Sequence, residues 1–269
     1  MELKKYLEIA RLHNCAIAGI GVFVGYAIAN HSIAITTQLG TGILAAFAIT
    51  AAGNAINDYF DAEIDLKLGK GKIAKNQLSV LLFSALLFSA GILLSLTINI
   101  QAFAIASIVS GLLILYSSAM QSYKFLGNYV VAAGTALTLV FGAAIAQRYD
   151  AIFLLALAAF LANVAREIIK DTEDIEGDRG IKNTLPMLIS FGGIKKTIFL
   201  LYLGAIAIGI VAHEAGIMRG IWYIVLFGLS AVLFVASYAK LSQRNFSSAQ
   251  KFSKYAMIVA LGAFLAGSI

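Results

Sequence analysis

The chain predicts an all-α, polytopic membrane bundle of nine transmembrane helices with its N-terminus in the cytoplasm. Three observations carry that expectation. Of 269 residues, 60% are hydrophobic and 13% charged, with a mean hydropathy of +0.88, whereas globular domains run about 45–50% apolar and about 25% charged. Nine apolar runs are each long enough to cross about 30 Å of hydrocarbon. Lysine and arginine, sorted by alternate loops, fall almost wholly on one side. No sustained period-2 alternation with polar lumen residues competes, which argues against a β-barrel.

The spans fall near 14–30, 37–57, 77–97, 101–119, 126–146, 150–170, 195–213, 219–238 and 251–269. The first is long and has Arg11, His13 and Asn14 at its mouth, so it reads as a retained span rather than a cleaved leader. Gly19, Gly21 and Gly25 within it look like a fragment of a dinucleotide fingerprint. No strand precedes them, and Gly21-xxx-Gly25 reads as close helix packing. Cys15, the single cysteine, rules out an internal disulfide and reads as a small packing residue. Spans two and six end in acid-rich runs. With the N-terminus inside, eighteen of the twenty Lys and Arg lie on the cytoplasmic side, leaving Arg148 and Arg219 outside. A missed or extra span would scramble that sorting, so the asymmetry supports nine and sends the C-terminus outward. The net charge of +6 then belongs to topology and not to a nucleic-acid partner. His31 and His213 fall on the outer side and are assigned no role. The sequon-like Asn245-Phe246-Ser247 falls on the cytoplasmic side and is read as chance. Residues 1–269 form one expected domain, with no signal in the sequence for an oligomeric state.

Two clusters carry the chemistry. Gly53-Asn54-Ala55-Ile56-Asn57-Asp58-Tyr59-Phe60-Asp61-Ala62-Glu63-Ile64-Asp65 places Asn57, Asp61 and Asp65 four apart. Lys170-Asp171-Thr172-Glu173-Asp174-Ile175-Glu176-Gly177-Asp178 places Asp171, Asp174 and Asp178 three and four apart. On a helix either spacing puts the side chains on one face. Like charges stacked that way repel and call for a cation. Ten of the fourteen acids sit at the cytoplasmic ends of spans two and six, so both clusters face one compartment. Hard oxygen ligands at a membrane surface suggest Mg²⁺ holding a diphosphate. Asn54 and Asn57 lie inside span two, where an amide needs a partner. Arg11 and Asn14 stand on adjacent turns, where an arginine helped by an amide suits a phosphate. Tyr116 and Lys124 flank the cytoplasmic end of span four, as interface anchors or, for Lys124, as a phosphate contact.

Asn57-Asp58-xx-Asp61-xxx-Asp65 with Asp171-xx-Asp174-xx-Gly177-Asp178 resembles the UbiA-type intramembrane prenyltransferase superfamily, over nearly the whole chain. Arg11-xx-Asn14-Cys15, the run Ala165–Asp178 and Thr184-Leu185-Pro186 resemble its digeranylgeranylglyceryl phosphate synthase branch, which makes archaeal-type ether lipids. The resemblance implies Mg²⁺-dependent transfer of a geranylgeranyl group from geranylgeranyl diphosphate to the 2-hydroxyl of geranylgeranylglyceryl phosphate. It implies catalytic and metal roles for Asp61, Asp65, Asp171, Asp174 and Asp178, with Asn57 and Asp58 completing the metal set. It implies substrate contacts from Arg11, Asn14, Asn54, Tyr116, Lys124 and Lys170, prenyl tails in an apolar cavity open to lipid, and a site on the cytoplasmic face of the cell membrane. The chain departs from the family after the first cluster. A basic, proline-rich segment is replaced by Leu66-Lys67-Leu68-Gly69-Lys70-Gly71-Lys72-Ile73-Ala74-Lys75, and Leu12 stands where a proline is common. Pro186 is the only proline, where average usage gives roughly thirteen.

Two other readings compete. One keeps the superfamily but takes an aromatic, quinone-precursor acceptor. The other is a divalent-cation transporter, but transporters place ion ligands near the midplane on broken helices. Here the acids gather at one face and no span contains proline.

Overall fold

A computed structural model describes residues 2–67, 77–119, 124–175 and 184–269; the side chains of 2, 3, 63–67, 119, 124 and 125 lie outside that description. The described residues form helices and no strand. They are α1 (Glu2–Ala10), α2 (Leu12–Asn30), α3 (Thr37–Lys67), α4 (Gln77–Leu96), α5 (Ile100–Ala119) and α6 (Lys124–Ala146). There follow α7 (Ile152–Glu173), α8 (Leu185–Leu188), α9 (Phe191–Glu214), α10 (Ile221–Ser242) and α11 (Phe246–Ser268). Eight of them, α2 to α7 with α9 and α10, are long and apolar enough to cross a membrane. α11 coincides with the expected ninth span and has 23 residues, but it opens on serines and on Lys251 and Lys254, which lower its apolarity.

The long helices match the predicted spans closely. The main difference is α3, which continues ten residues past the expected end at 57. α1 and the single-turn α8 were not expected. In α8, Pro186 sits in the first turn, where its missing N–H and fixed φ cost least. The expected glycine- and lysine-rich loop lies at 68–75, outside the described residues.

The helices divide into two compact units, Met1–Tyr26 with Ala34–Gln121 and Leu137–Gln147, and Ala27–Ile33 with Ser122–Ala136 and Arg148–Ile269. In the first unit Val22, Leu39, Ala52, Ile56, Ala102 and Phe141 form the core. The face of α4 that turns inward reads Val80, Ser84, Phe88, Gly91 and Ser95, while Leu82, Leu86 and Leu93 stay exposed. Small residues inside and leucines outside is the pattern of a helix whose outer solvent is apolar. Ser84 Oγ donates across to the Ala52 carbonyl at 3.0 Å. The Gly21-xxx-Gly25 expectation holds here. A Cβ on Gly25 would stand 2.2 Å from the Leu139 carbonyl oxygen, and one on Gly142 would stand 2.2 Å from that of Val22. These glycines let the backbones of α2 and α6 touch, where any side chain would force them apart.

The second unit is built around α7. Ile168 and Ile169 are buried with Ile198 of α9, Leu241 of α10 and Ala249 and Ala256 of α11. Hydroxyls bind the helices across this core. Tyr202 Oη lies 3.0 Å from Ser237 Oγ, which donates to the Ala249 carbonyl at 2.8 Å, and Ser230 Oγ donates to the Ala256 carbonyl at 2.9 Å. With no hydrophobic effect between helices in lipid, such bonds and close small-residue packing are what hold a bundle together.

Candidate active site

In the first unit the site begins with a broken helix. Arg11 adopts a left-handed conformation, φ 51°, which separates α1 from α2. The break diverts the Asn14 amide N–H to the Arg11 carbonyl at 2.8 Å, so the Ala10 carbonyl loses its helical partner. A buried orphan carbonyl is costly, and this one is recovered from outside the helix. Asn54 Nδ2 donates to it at 2.8 Å and the Cys15 thiol donates at 3.2 Å. The amide within span two has therefore found its partner in the backbone of α1. Arg11 itself reaches α3, where its guanidinium lies 2.5 Å from Asp58. The Asp58 side chain is 9% exposed and that of Arg11 40%, so the arginine neutralises a buried carboxylate while keeping a solvent-facing flank. Asn14 is half-buried.

One turn on, Asn57 Nδ2 donates to Asp61 Oδ2 at 2.7 Å. Both are half-buried, and the bond confirms that the four-residue spacing lies along one face of a continuous helix. Asp65 is two turns further along the same backbone; its side chain lies outside the described residues. Tyr116 is half-buried near the end of α5 and engaged within the protein. Lys124 opens α6, with its side chain outside the described residues.

In the second unit, Asp171 is buried and accepts from Asn128 Nδ2 of α6 at 2.7 Å. Asp174 is exposed and caps the end of α7, its backbone N–H bonded to the Lys170 carbonyl at 3.0 Å. Lys170 is exposed, and Asp178 lies outside the described residues. Asn128 was not anticipated, nor was Asn163 lower on α7, whereas the charged residues Arg166 and Glu167 stand out in the sequence as a site or a salt-bridge network. There Glu167 is buried beside Arg166, to which it is ion-paired, and buried Asn163 donates to Thr135 Oγ1 at 2.7 Å. The available signal was an amide in an apolar span, which in lipid demands a partner.

Both acid runs sit at the C-terminal ends of long helices, the negative pole of the helix dipole. Cations belong there, and each carboxylate adds a small penalty instead. Apart from Asp58, which Arg11 neutralises, each run gathers negative charge at a pole that disfavours it. The donors of each run are carboxylate and amide oxygens, a hard set that suits Mg²⁺. Among the described residues no three acid, histidine or cysteine side chains gather as a closed metal cage.

The chain is similar to digeranylgeranylglyceryl phosphate synthases along its whole length. It is 36% identical to that of Thermococcus kodakarensis over 286 aligned positions, covering all of this chain and 99% of the relative. It is also 36% identical to that of Methanocaldococcus jannaschii, covering all of this chain and 97% of the relative. A solved structure described as giving insights into digeranylgeranylglyceryl phosphate synthase in membranes superimposes with a TM-score of 0.85 at 33% identity, covering all of this chain and 99% of that one. A UbiA homologue of Archaeoglobus fulgidus, solved with DMAPP and Mg²⁺, has the same fold at a TM-score of 0.74 and 17% identity, covering 95% of this chain and 99% of that one. The UbiA prenyltransferase family profile matches residues 18–262. With its run of apolar helices, this is a multi-pass membrane enzyme, and the chain belongs to the UbiA prenyltransferase family.

Proposed function

We propose that the protein transfers a geranylgeranyl group from geranylgeranyl diphosphate to the 2-hydroxyl of geranylgeranylglyceryl phosphate, forming the second ether of an archaeal-type lipid. The observation that carries this reading is the full-length similarity, at 36% identity, to synthases named for that product, joined to paired acid runs of the right chemistry. Asn57, Asp61 and Asp65, supported by Asp58, serve one Mg²⁺, and Asp171, Asp174 and Asp178 serve a second. Mg²⁺ held by these residues would supply charge neutralisation of the diphosphate, which leaves with the bonding pair as the allylic C–O bond breaks. That a UbiA homologue of A. fulgidus was solved with DMAPP and Mg²⁺ together supports a diphosphate held with metal.

The chain's own residues prepare that step. The Arg11–Asp58 pair and the Asn54 bond to Ala10 fix the α1–α2 break against α3, and Asn57 orients Asp61 on the same helix. Asn128 holds Asp171 in one orientation. The exposed flank of Arg11, with Asn14, Tyr116, Lys124 and Lys170, binds the phosphates of donor and acceptor. The hydroxyl oxygen of the acceptor then bonds to the allylic carbon and releases its proton. Residues 1–269 act as one domain of nine spans, α11 being the ninth. The N-terminus and the site face the cytoplasm of the cell membrane, a reading supported by the distribution of Lys and Arg.

The test is an acceptor comparison with purified protein in detergent and labelled geranylgeranyl diphosphate. The diether phosphate should form with geranylgeranylglyceryl phosphate and not with an aromatic quinone precursor. The reverse preference would move the enzyme to the aromatic branch of its family.

A further inference from the structure

The second unit contains a cavity of about 580 Å³. It lies where the end of α2, the segments leading into α7 and α10, and the end of α11 meet. Ile152 and Asp171 mark opposite ends of α7, nineteen residues and so about 28 Å apart at 1.5 Å per residue. The cavity is therefore at the other end of that helix from the acid run.

Its polar wall carries Arg148, Arg219 and Tyr149, and its apolar wall Ile28, Ile217 and Met218. Asp150 lines the same space, yet among the described residues neither guanidinium is ion-paired with it or with any other carboxylate. Arg219 spends one donor, its Nε, on the Gly216 carbonyl at 2.7 Å, leaving the rest of its fork. Burial pushes the Tyr149 phenol above its ordinary pKa, so it stays a donor. Two helix N-termini reinforce these groups. The N-cap residues of α7 and α10, Ala151 and Gly220, are both in the wall, neither offers a side-chain cap, and neither first turn holds an acid. The Ile152 N–H is taken by the Tyr149 carbonyl at 3.2 Å, but both 22-residue helices begin at this wall with the positive pole of the helix dipole. Asp150 apart, the two guanidinium groups, the Tyr149 phenol and the two helix poles suit an anion, and phosphate above all.

The surroundings say what carries the phosphate. Immediately past the two N-caps, Phe153, Ile221 and Trp222 are 61%, 65% and 67% exposed, on helices long and apolar enough to cross a membrane. An exposed apolar collar beside a cationic cavity fits an amphiphile, with a head in the cavity and chains along the helices. We propose that this cavity binds the phosphate head group of an anionic membrane lipid.

Native mass spectrometry of the full-length protein tests this, with phosphatidylglycerol as probe and diacylglycerol of the same chains as the phosphate-free control. Wild type should retain phosphatidylglycerol through detergent exchange and shed diacylglycerol. Arg148→Gln combined with Arg219→Gln should retain it about tenfold less, the scale of losing a charge-assisted hydrogen bond. Arg148→Gln alone keeps the Gly216 contact intact and should still show a several-fold loss with unchanged prenyl transfer. Equal retention by wild type and both variants would overturn the proposal, as would equal retention of the two lipids by wild type. Complete displacement by millimolar inorganic phosphate would overturn the lipid assignment and leave a free-phosphate site.

Discussion

The ends of α3 and α7 carry the same kind of residue and hold it in different ways. On α3 the acids are organised from a distance in sequence. Arg11, 47 residues upstream, neutralises Asp58, Asn54 recovers the Ala10 carbonyl, and Asn57 steadies Asp61. On α7 the Asn128 amide bonds buried Asp171, and Asp174 stands exposed at the helix end. One run is tied to other elements through its own side chains, whereas the other pairs a buried, bonded carboxylate with an exposed one at the helix end. A held group loses less side-chain entropy on binding than an exposed one.

The largest expected contrast lies within α7. Asp171→Ala and Asp174→Ala should each lower turnover by about 10³-fold, as removal of an electrostatic stabiliser does. Only Asp171→Ala should also lower thermal stability, by about 1–3 kcal/mol, because it strands the buried Asn128 amide. Equal melting temperatures for the two variants would erase the distinction between the buried, bonded acid and the exposed one. Next comes the frame on α3. Gly25→Ala should destabilise the first unit by about 3 kcal/mol or more, since its Cβ would meet backbone and not a flexible side chain. Gly134→Ala, where nothing lies within 4 Å of the new Cβ, should be near neutral, and a denaturation series in detergent compares them. The smallest effect is the Arg11–Asp58 coupling. A double-mutant cycle of Arg11→Ala and Asp58→Ala should give about 1 kcal/mol, reduced by the exposure of the arginine. A coupling of zero would mean that the pair does not tie α1–α2 to α3.

Much of this was legible in the sequence because lipid leaves a chain few options. Backbone groups must be satisfied within the helix, so span lengths follow hydropathy, and α4, α5 and α6 fall within two residues of expectation. Polar residues in such a chain also stand out, which is why Asn57 and Asp61 were found with their spacing and their common face. What escaped was partnership across helices. Arg11 suits a phosphate equally well in the sequence, and only the fold shows it on Asp58. Asn128 carries no motif, and its role exists only because α6 brings it to Asp171. The break at Arg11 leaves no mark either, since an arginine with positive φ follows from tertiary contacts and not from local preference. The extension of α3 past 57 was missed because hydropathy ends at the membrane surface while the helix does not.

The account rests on both acid runs acting on one metal-bound diphosphate. The most direct test is formation of the diether phosphate by wild type, Asp61→Ala and Asp174→Ala, each with Mg²⁺ and with EDTA. Product that depends on Mg²⁺ in wild type and is lost in both folded variants is the predicted result. Near-normal turnover in either variant, or turnover that survives EDTA, would contradict it.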